Sequence, residues 1–168
     1  MAAINRDAEV TRYLNRPVDP DAVAAFYGIV TEHWDTHGFG FFAVESTELS
    51  RAGMFLGFVG IAYPSFLPAL AHRPELGWRL GRAAWGRGLA TEAAAAVLDL
   101  AFGPLGFNEV IAVIHPENAR SQRVAAKVGM TIEDQVDNPV LGRLVDVWQL
   151  DNPTPLPARP SGSTPASR

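Results

Sequence analysis

The chain contains no cysteine. Disulfides, thiolate metal sites and a cysteine nucleophile are therefore excluded, so covalent catalysis cannot pass through a cysteinyl intermediate. The chain also lacks an excess of positive charge, because 14 Lys and Arg residues are outnumbered by 18 Asp and Glu residues and the net charge is −4. Nucleic-acid-binding domains usually carry a basic face, so this composition argues against a nucleic-acid partner.

Long apolar runs are missing as well. No stretch is long enough to span a membrane, and residues 1–12 lack the hydrophobic centre of a secretory signal. These absences predict a cytoplasmic protein with no membrane partner. The 48% hydrophobic and 19% charged content of the 168 residues is typical of one globular domain. We predict a folded domain over residues 1–150 and, because Pro, Ser, Thr and Gly dominate afterwards, a disordered tail over 151–168.

Hydrophobic periodicity and turn residues predict a mixed order of helices and strands. Helices are predicted over 7–14, 19–37 and 90–102, and a further helix begins after Asn118 and ends at Gly129. Strands are predicted over 39–46, 54–63, 76–80, 110–114, 131–137 and 144–150. Gly57 and Gly60 lie inside the second of these strands and indicate a β-bulge.

A turn with two glycines joins the third strand to the helix over 90–102. It reads Trp85-Gly86-Arg87-Gly88-Leu89-Ala90-Thr91-Glu92-Ala93. Glycines leave backbone N–H groups unobstructed, and the helix dipole adds partial positive charge at the same point. The turn therefore predicts an anion-binding site.

A second helix N-terminus is predicted to lie beside this turn. A strand–helix–strand unit is right-handed with parallel strands, so strands 76–80 and 110–114 end at the same edge of the sheet. Asn118 follows the second of these strands and is a good N-cap, and Ser121 lies in the first turn of its helix. Two helix N-termini are thus expected to face one ligand site.

These two segments resemble the motifs of the GNAT superfamily of acetyl-CoA-dependent N-acetyltransferases, and within it the ribosomal-protein-alanine N-acetyltransferase-like branch. The resemblance is carried by the turn from Trp85 to Ala93 and by Asn118-x-x-Ser121 with Lys127-Val-Gly129-Met130, and covers about residues 7–150. It implies an α/β (α+β) fold with a mixed, mostly antiparallel sheet, a central splayed parallel strand pair and flanking helices. The implied activity is transfer of an acetyl group from acetyl-CoA to a primary amine, by direct attack in a ternary complex and without a metal.

The resemblance also implies a site. The backbone of the glycine turn would bind the pyrophosphate of acetyl-CoA, and the pantetheine arm would lie between strands 76–80 and 110–114. Asn118 would contact the cofactor arm, and Ser121 would be the general acid for the leaving thiolate. Ala83 stands where the family often has Gln or Arg, which removes a side chain and leaves the backbone contacts unchanged. The implied cofactor-binding residues are Trp85, Gly86, Arg87, Gly88, Leu89, Ala90, Thr91, Asn118 and Ser121.

Direct attack by an amine needs a base, N–H donors for the developing oxyanion and a donor for the sulfur. Glu75, just before the third strand, is the candidate base, directly or through water, and is equally interpretable as a solvated charge. Backbone N–H groups of strand 110–114 are the candidate oxyanion donors. Ser121 is also interpretable as an ordinary first-turn residue, and the Arg87 side chain as either a phosphate ligand or a solvated charge.

A second departure from the family lies at the amino end, where members of this branch usually carry a first strand before the segment that resembles residues 7–14. Without that strand, 39–46 would be an exposed apolar edge, which proteins normally cover or pair. We expect a partner subunit, the tail or residues near Met1 to cover this edge, and the missing strand favours a homodimer. Alternatively, the natural start lies upstream of Met1.

Three other interpretations fit parts of the sequence. His33 and His37 have the spacing of a zinc pair on one helix face, but no third ligand is evident. Residues 81–88 nearly spell a Walker A loop, in which Arg87 replaces the lysine and Gly88 the Ser or Thr that holds Mg²⁺. A non-catalytic acyl-CoA sensor or scaffold of the same fold is the third alternative.

The sequence leaves two classes of acceptor open, a protein N-terminus and a small-molecule amine. Either would be bound by helix 19–37 and loop 63–73.

Overall fold

A six-stranded mixed sheet forms the centre of the fold. The computed structural model describes residues 1–14, 20–48, 50, 52–139 and 142–154. The strands are β1 (Phe41–Glu45), β2 (Phe55–Ala62), β3 (Glu75–Leu80), β4 (Glu109–Ile114), β5 (Thr131–Asn138) and β6 (Arg143–Asp151). The helices are α1 (Ala2–Asn5), α2 (Ala8–Thr11), α3 (Pro20–His37), α4 (Leu89–Phe102) and α5 (Ala119–Lys127).

The sheet order is β1-β2-β3-β4-β6-β5. Neighbouring strands are antiparallel except β3 and β4, which run parallel. The mixed, mostly antiparallel sheet with one central parallel pair and flanking helices is therefore confirmed. Within the described residues, no helix combines the length and the apolar character needed to cross a membrane. Most of the predicted tail, residues 155–168, lies outside the described residues.

Most predicted boundaries lie within one or two residues of those in the structure, and two of the differences are examined at the residues involved. Asp7 caps α2 by accepting a hydrogen bond from the Glu9 N–H at 3.0 Å, and this helix ends at Thr11 instead of reaching residue 14. β1 begins at Phe41, because the chain turns at Gly38 and the Phe39 carbonyl accepts from His33 Nδ1 at 2.8 Å. The predicted start of α3 at residue 19 lies outside the described residues, and the short helix α1 was not predicted.

The core lies on both faces of the sheet. α4 buries the stripe Ala94, Val97, Leu98 and Ala101, and β2, β3 and β4 present Ile61, Leu76 and Val110 to the same cluster. On the opposite face, Leu67 and Leu70 of the loop before β3 pack against Ile111 and Val147, and Phe26 of α3 packs against Phe41 and Phe58. The sheet therefore has α4 on one face and α3 with the 63–74 loop on the other.

The parallel strands β3 and β4 separate after their first residues. They pair at Glu75 and Ile111, where the Ile111 N–H donates to the Pro74 carbonyl at 2.9 Å. β3 and β2, by contrast, pair over all six residues of β3, from Glu75–Ala62 to Leu80–Gly57. The carboxyl ends of the parallel pair are thus splayed, which is the gap that the resemblance implied.

The two glycines of β2 serve different purposes. The register shifts between Val44 and Glu45, so that β2 contains an extra residue beside Gly57, whose φ is +146°. This confirms a bulge at Gly57. At Gly60, a Cβ would lie 2.3 Å from the Gly40 carbonyl oxygen, so this position requires glycine because two backbones approach closely.

β1 is an edge strand with an exposed surface. No described residue forms a strand outside it, Phe42 is 38% exposed, and Trp34 Nε1 donates to the Phe41 carbonyl at 3.1 Å. The expectation that residues near Met1 cover this edge is wrong, because α1 lies beside the residue that follows β3 and not beside β1. Ile4 would approach within 3.2 Å of a Cβ at Gly81, and that contact holds α1 beside the turn that leads into α4.

Candidate active site

A cleft of about 330 Å³ opens at the carboxyl ends of β3 and β4. Its walls come from four parts of the chain: the end of β3, the turn into α4, one face of α5 and the segment around α2. Eight of the residues implied by the family resemblance line it. They are Trp85, Gly86, Gly88, Leu89, Ala90, Thr91, Asn118 and Ser121.

The turn into α4 presents open backbone to the cleft. Gly86 and Gly88 have φ values of +73° and +81°, and nothing lies within 4 Å of a Cβ built at either position. Gly88 is the N-cap of α4 and provides no capping side chain, so the first N–H groups of the helix remain available. Trp85 Nε1 donates to the Leu80 carbonyl at 2.8 Å and fixes the turn against the end of β3.

The second helix N-terminus has the predicted cap. The Asn118 side chain accepts a hydrogen bond from the Ser121 N–H at 3.2 Å and begins α5, and Gly129, with φ +90°, follows its end. Asn118 Oδ1 is thus occupied by the cap, and Ser121 is one of the residues that line the cleft. The structure brings both helix N-termini to one cavity.

Sequence reasoning missed the positive charge on this wall. Arg120, Arg123 and Lys127 of α5 all line the cleft. The Arg120 guanidinium lies 4.7 Å from the centre of the Trp85 ring and 3.9 Å from the Glu9 carboxylate. The spacing of these cations, three and four residues along one helix, was readable in the sequence as a basic helix face. Open backbone N–H groups beside a basic helix face suit a ligand with several phosphates.

The segment around α2 closes one side of the cleft, and sequence reasoning gave it no role. Glu9, Val10, Tyr13 and Leu14 line the cavity. The Tyr13 ring lies 4.9 Å from the His115 ring, which follows β4. This segment therefore contacts both α5 and the end of β4 across the mouth of the cleft.

The structure separates the Arg87 side chain from the cleft. Arg87 does not line the cavity and instead forms an exposed ion pair with Glu48. The interpretation of Arg87 as a phosphate ligand through its side chain is therefore not supported by this geometry. Its backbone stays part of the glycine turn.

Glu75 also lies outside the cleft lining, at the point where β3 and β4 part. Its carboxylate accepts a hydrogen bond from the Val113 N–H, and desolvation of the carboxyl group raises its pKa to about 8. The interpretation of Glu75 as a freely solvated charge is wrong. The Val113 N–H, one of the candidate oxyanion donors, is bonded to this carboxylate instead.

The histidine pair has a structural role. The Tyr63 N–H donates to His33 Nε2 at 3.1 Å while His33 Nδ1 donates to the Phe39 carbonyl, so both ring nitrogens are bonded to backbone. Burial lowers the pKa of His33 and favours this neutral ring. Among the described residues, no group of three or more His, Asp or Glu side chains is arranged to hold a metal ion.

A splayed parallel pair with two helix N-termini at its open end is the arrangement that the resemblance to acyl-CoA-dependent acyltransferases implied. The sequence matches the model of the acetyltransferase (GNAT) domain family over residues 1–131, so the chain belongs to this family. It is an acetyl-CoA-dependent acyltransferase.

The chain is also similar to individual proteins, in sequence and in structure. The chain is 34% identical over 122 residues to the uncharacterized protein YkkB of Bacillus subtilis (strain 168), covering 67% of this chain and 69% of YkkB. A putative GnaT-family acetyltransferase from Bordetella pertussis superposes with a TM-score of 0.72 at 25% identity, over 88% of this chain and 84% of that one.

A third relative shares the fold. The putative acetyltransferase yncA from Salmonella typhimurium, solved with acetyl-CoA, superposes with a TM-score of 0.67 at 22% identity, over 95% of this chain and 90% of that one. None of these matches singles out the ribosomal-protein-alanine branch.

Proposed function

We propose that this protein moves an acetyl group from acetyl-CoA to a primary amine by direct attack, with both substrates bound together. The observation that carries the proposal is the cleft itself, where open backbone N–H groups of the glycine turn, the Asn118-capped helix and three cations meet beside the splayed strands. The absence of cysteine supports direct attack, because a cysteinyl intermediate cannot form.

The residues of the cleft fit acetyl-CoA, which supplies the acetyl thioester when bound. The backbone from Trp85 to Thr91 would hold the pyrophosphate, since a Cβ-free turn at the N-terminus of α4 can approach an anion closely. The cations of α5 would neutralise the remaining phosphate charge. Asn118 would position the start of α5 against the cofactor arm. Arg87 would contribute through its backbone alone, because its side chain pairs with Glu48.

Glu75 would accept the proton of the amine, directly or through water. A carboxyl group with a pKa of about 8 is protonated in part near neutral pH and becomes an effective base as the pH rises past that value. It lies on β3 at the root of the splay, where the thioester and an amine would meet. Turnover should therefore rise with pH through about 8.

Ser121 would donate a proton to the departing sulfur. Its backbone N–H is held by Asn118, which fixes the residue in the first turn of α5, and the residue lines the cleft. The helix N-terminus at the same place also favours negative charge on the thiolate.

The acceptor would be a small-molecule amine or a protein N-terminus, as in the ribosomal-protein-alanine branch, and the protein would act in the cytoplasm. A homodimer would cover β1, whose edge has no described strand beside it. The related fold of a spermidine N-acetyltransferase from Vibrio cholerae was solved with CoA and spermine, which shows for that protein an amine in a fold of this kind.

The experiment follows free thiol release from acetyl-CoA with a panel of amines, and calorimetry measures acetyl-CoA binding in parallel. We expect binding together with amine-dependent thiol release. Binding without release to any amine would favour a non-catalytic acyl-CoA sensor, and no binding would overturn both functions.

A further inference from the structure

Arg79 is a charged side chain that has one hydrogen-bond acceptor and no counter-ion among the described residues. It lies on β3 and lines the cleft, and its guanidinium lies 5.3 Å from the centre of the Phe58 ring and 6.0 Å from that of Phe26. Its Nη1 donates to Asn5 Oδ1 at 3.0 Å, and Asn5 is only 5% exposed. No described carboxylate lies within ion-pair distance of Arg79.

A guanidinium has five N–H donors, of which the described protein uses one here. None of the remaining Arg79 nitrogens is sealed from solvent, and Arg79 is among the residues that line the cleft, so the unused donors are accessible to a ligand. Desolvation lowers the pKa of Arg79 to about 10, so the side chain stays charged at neutral pH but lacks a counter-ion. An anion entering the cleft would supply both the missing charge and the missing acceptors.

The position of Arg79 distinguishes two sources for that anion. Side chains alternate along a strand, so Arg79 lies on the sheet face of Glu75, whereas Trp78 and Leu80 point to the face covered by α4. The aromatic rings that hold Arg79 belong to α3 and β2, on the same face. The phosphates of the cofactor would instead face the N-termini of α4 and α5, where three other cations are available.

We propose that Arg79 binds a carboxylate of the acceptor, so that the substrates of this enzyme are amines that also carry a carboxylate. This inference rests on the proposed function, with the amine placed near Glu75. Four residues of strand separate the two Cα atoms by about 13 Å. The Phe41 ring lies over Gly77 between them, 3.0 Å from the position of a Cβ. The carboxylate and the amine of the acceptor are therefore expected to be several bonds apart, as in ω-amino acids or peptides.

The test compares matched acceptors that differ only in their charge. The probes are 6-aminohexanoic acid against its amide, and glycylglycine against glycylglycinamide, with thiol release from acetyl-CoA as the readout. The wild-type protein should prefer the carboxylates by about 10- to 100-fold in kcat/KM, as expected for charged hydrogen bonds. Arg79→Gln should reduce this preference to about 1, and Arg79→Lys should retain part of it.

Arg82→Gln is the matched control, because Arg82 is exposed on the following turn and does not line the cleft. It should keep the wild-type preference. Calorimetry with acetyl-CoA tests the other source: if Arg79→Gln weakens acetyl-CoA binding more than tenfold and leaves the carboxylate preference intact, the anion belongs to the cofactor and the proposal is overturned.

The wild-type preference is decisive even where Arg79→Gln fails to fold, because it requires no variant. Acetylation of all four probes with no preference for the carboxylates would overturn this inference and leave the proposed function standing. Binding of acetyl-CoA without acetylation of any amine would instead overturn the proposed function, and this inference with it.

Discussion

The two ends of the proposed active site, the cleft that would hold the cofactor and the neighbouring part of β3 that would meet the amine, are built in different ways. The cofactor end consists of backbone at two helix N-termini, each formed by residues close together in the sequence, such as Gly86 with Gly88 and Asn118 with Ser121. The amine end consists of single side chains that bond to distant segments: Glu75 to Val113, and Arg79 to Asn5. On the proposed function, the cofactor common to the family would be held by the backbone, whereas the choice of acceptor would depend on side chains.

The largest effect is expected at the amine end, for Glu75→Gln. The amide keeps an acceptor for the Val113 N–H, so the splay of β3 and β4 stays intact while the base is lost. Loss of a general base should lower kcat by about 10²- to 10⁴-fold and remove the rise of activity through pH 8, measured as pH profiles of thiol release.

Glu92→Gln is the control for this variant, since Glu92 is an exposed first-turn residue of α4. It should change kcat by less than about twofold, as surface substitutions usually do. Full turnover by Glu75→Gln with an unchanged pH profile would show that Glu75 only holds β4, and the amine end would then lack its base.

At the cofactor end, Gly88→Ala tests the backbone. Gly88 has φ +81° and open space around a Cβ, so the added methyl group meets no atom but the left-handed conformation is strained. A strain of roughly 1–2 kcal/mol should weaken acetyl-CoA binding by about 5- to 30-fold in calorimetry. Gly28→Ala, in α3 with open space and no left-handed φ, is the matched control and should leave binding unchanged. Equal binding of acetyl-CoA by Gly88→Ala and wild type would contradict the proposal that the backbone of the glycine turn binds the pyrophosphate.

The two ends of the site also differ in how far they could be predicted from the sequence. The glycine turn and the Asn118 cap are local patterns, so their helices, their strands and their shared edge of the sheet could be predicted. The bonds of Glu75 and Arg79 join residues 38 and 74 positions apart, and only folding brings those partners together. Periodicity carries no information on such pairs, whereas the basic face of Arg120, Arg123 and Lys127 was present in the helix spacing and was overlooked.

Ser121→Ala tests the proposed role of the Ser121 hydroxyl as the proton donor to the departing sulfur. The Asn118 cap uses the Ser121 backbone N–H, which alanine retains, so the helix should still begin at the same place. Loss of the hydroxyl should lower kcat by about tenfold, less than loss of the base because a thiolate is a good leaving group, with KM for acetyl-CoA little changed. Steady-state kinetics measure both constants. Unchanged turnover would leave Ser121 as an ordinary first-turn residue.

His33 makes hydrogen bonds with the backbone of Phe39 and Tyr63, and its titration should affect stability. Burial lowers the pKa of His33 below its ordinary 6.5, so on acidification the unfolded chain takes up a proton before the folded chain does. The contribution of the neutral ring is therefore complete above pH 6.5 and is lost as the pH falls through the folded pKa.

Thermal unfolding between pH 5 and 7 measures this loss, which should be about 1 kcal/mol, the size of a typical hydrogen bond. His33→Gln should flatten the dependence, whereas substitution of the exposed His72 should not. An equally steep loss of stability in His33→Gln would assign it to other groups.

The smallest effect is expected for Arg87→Gln. A small effect on acetyl-CoA binding is what the proposed backbone binding of the pyrophosphate predicts. Arg87 lies between the two glycines of the glycine turn. It is therefore the cationic residue closest in sequence to the proposed pyrophosphate site. Its side chain is 39% exposed and pairs with Glu48, and such surface pairs contribute about 0–1 kcal/mol. If the cofactor end binds through its backbone, Arg87→Gln should change the acetyl-CoA Kd by no more than about twofold, as expected for a surface substitution. Calorimetry at low and high salt checks this. A loss above tenfold, reduced by salt, would mean that Arg87 leaves Glu48 for the phosphates and that the cofactor end depends on side chains as the amine end does.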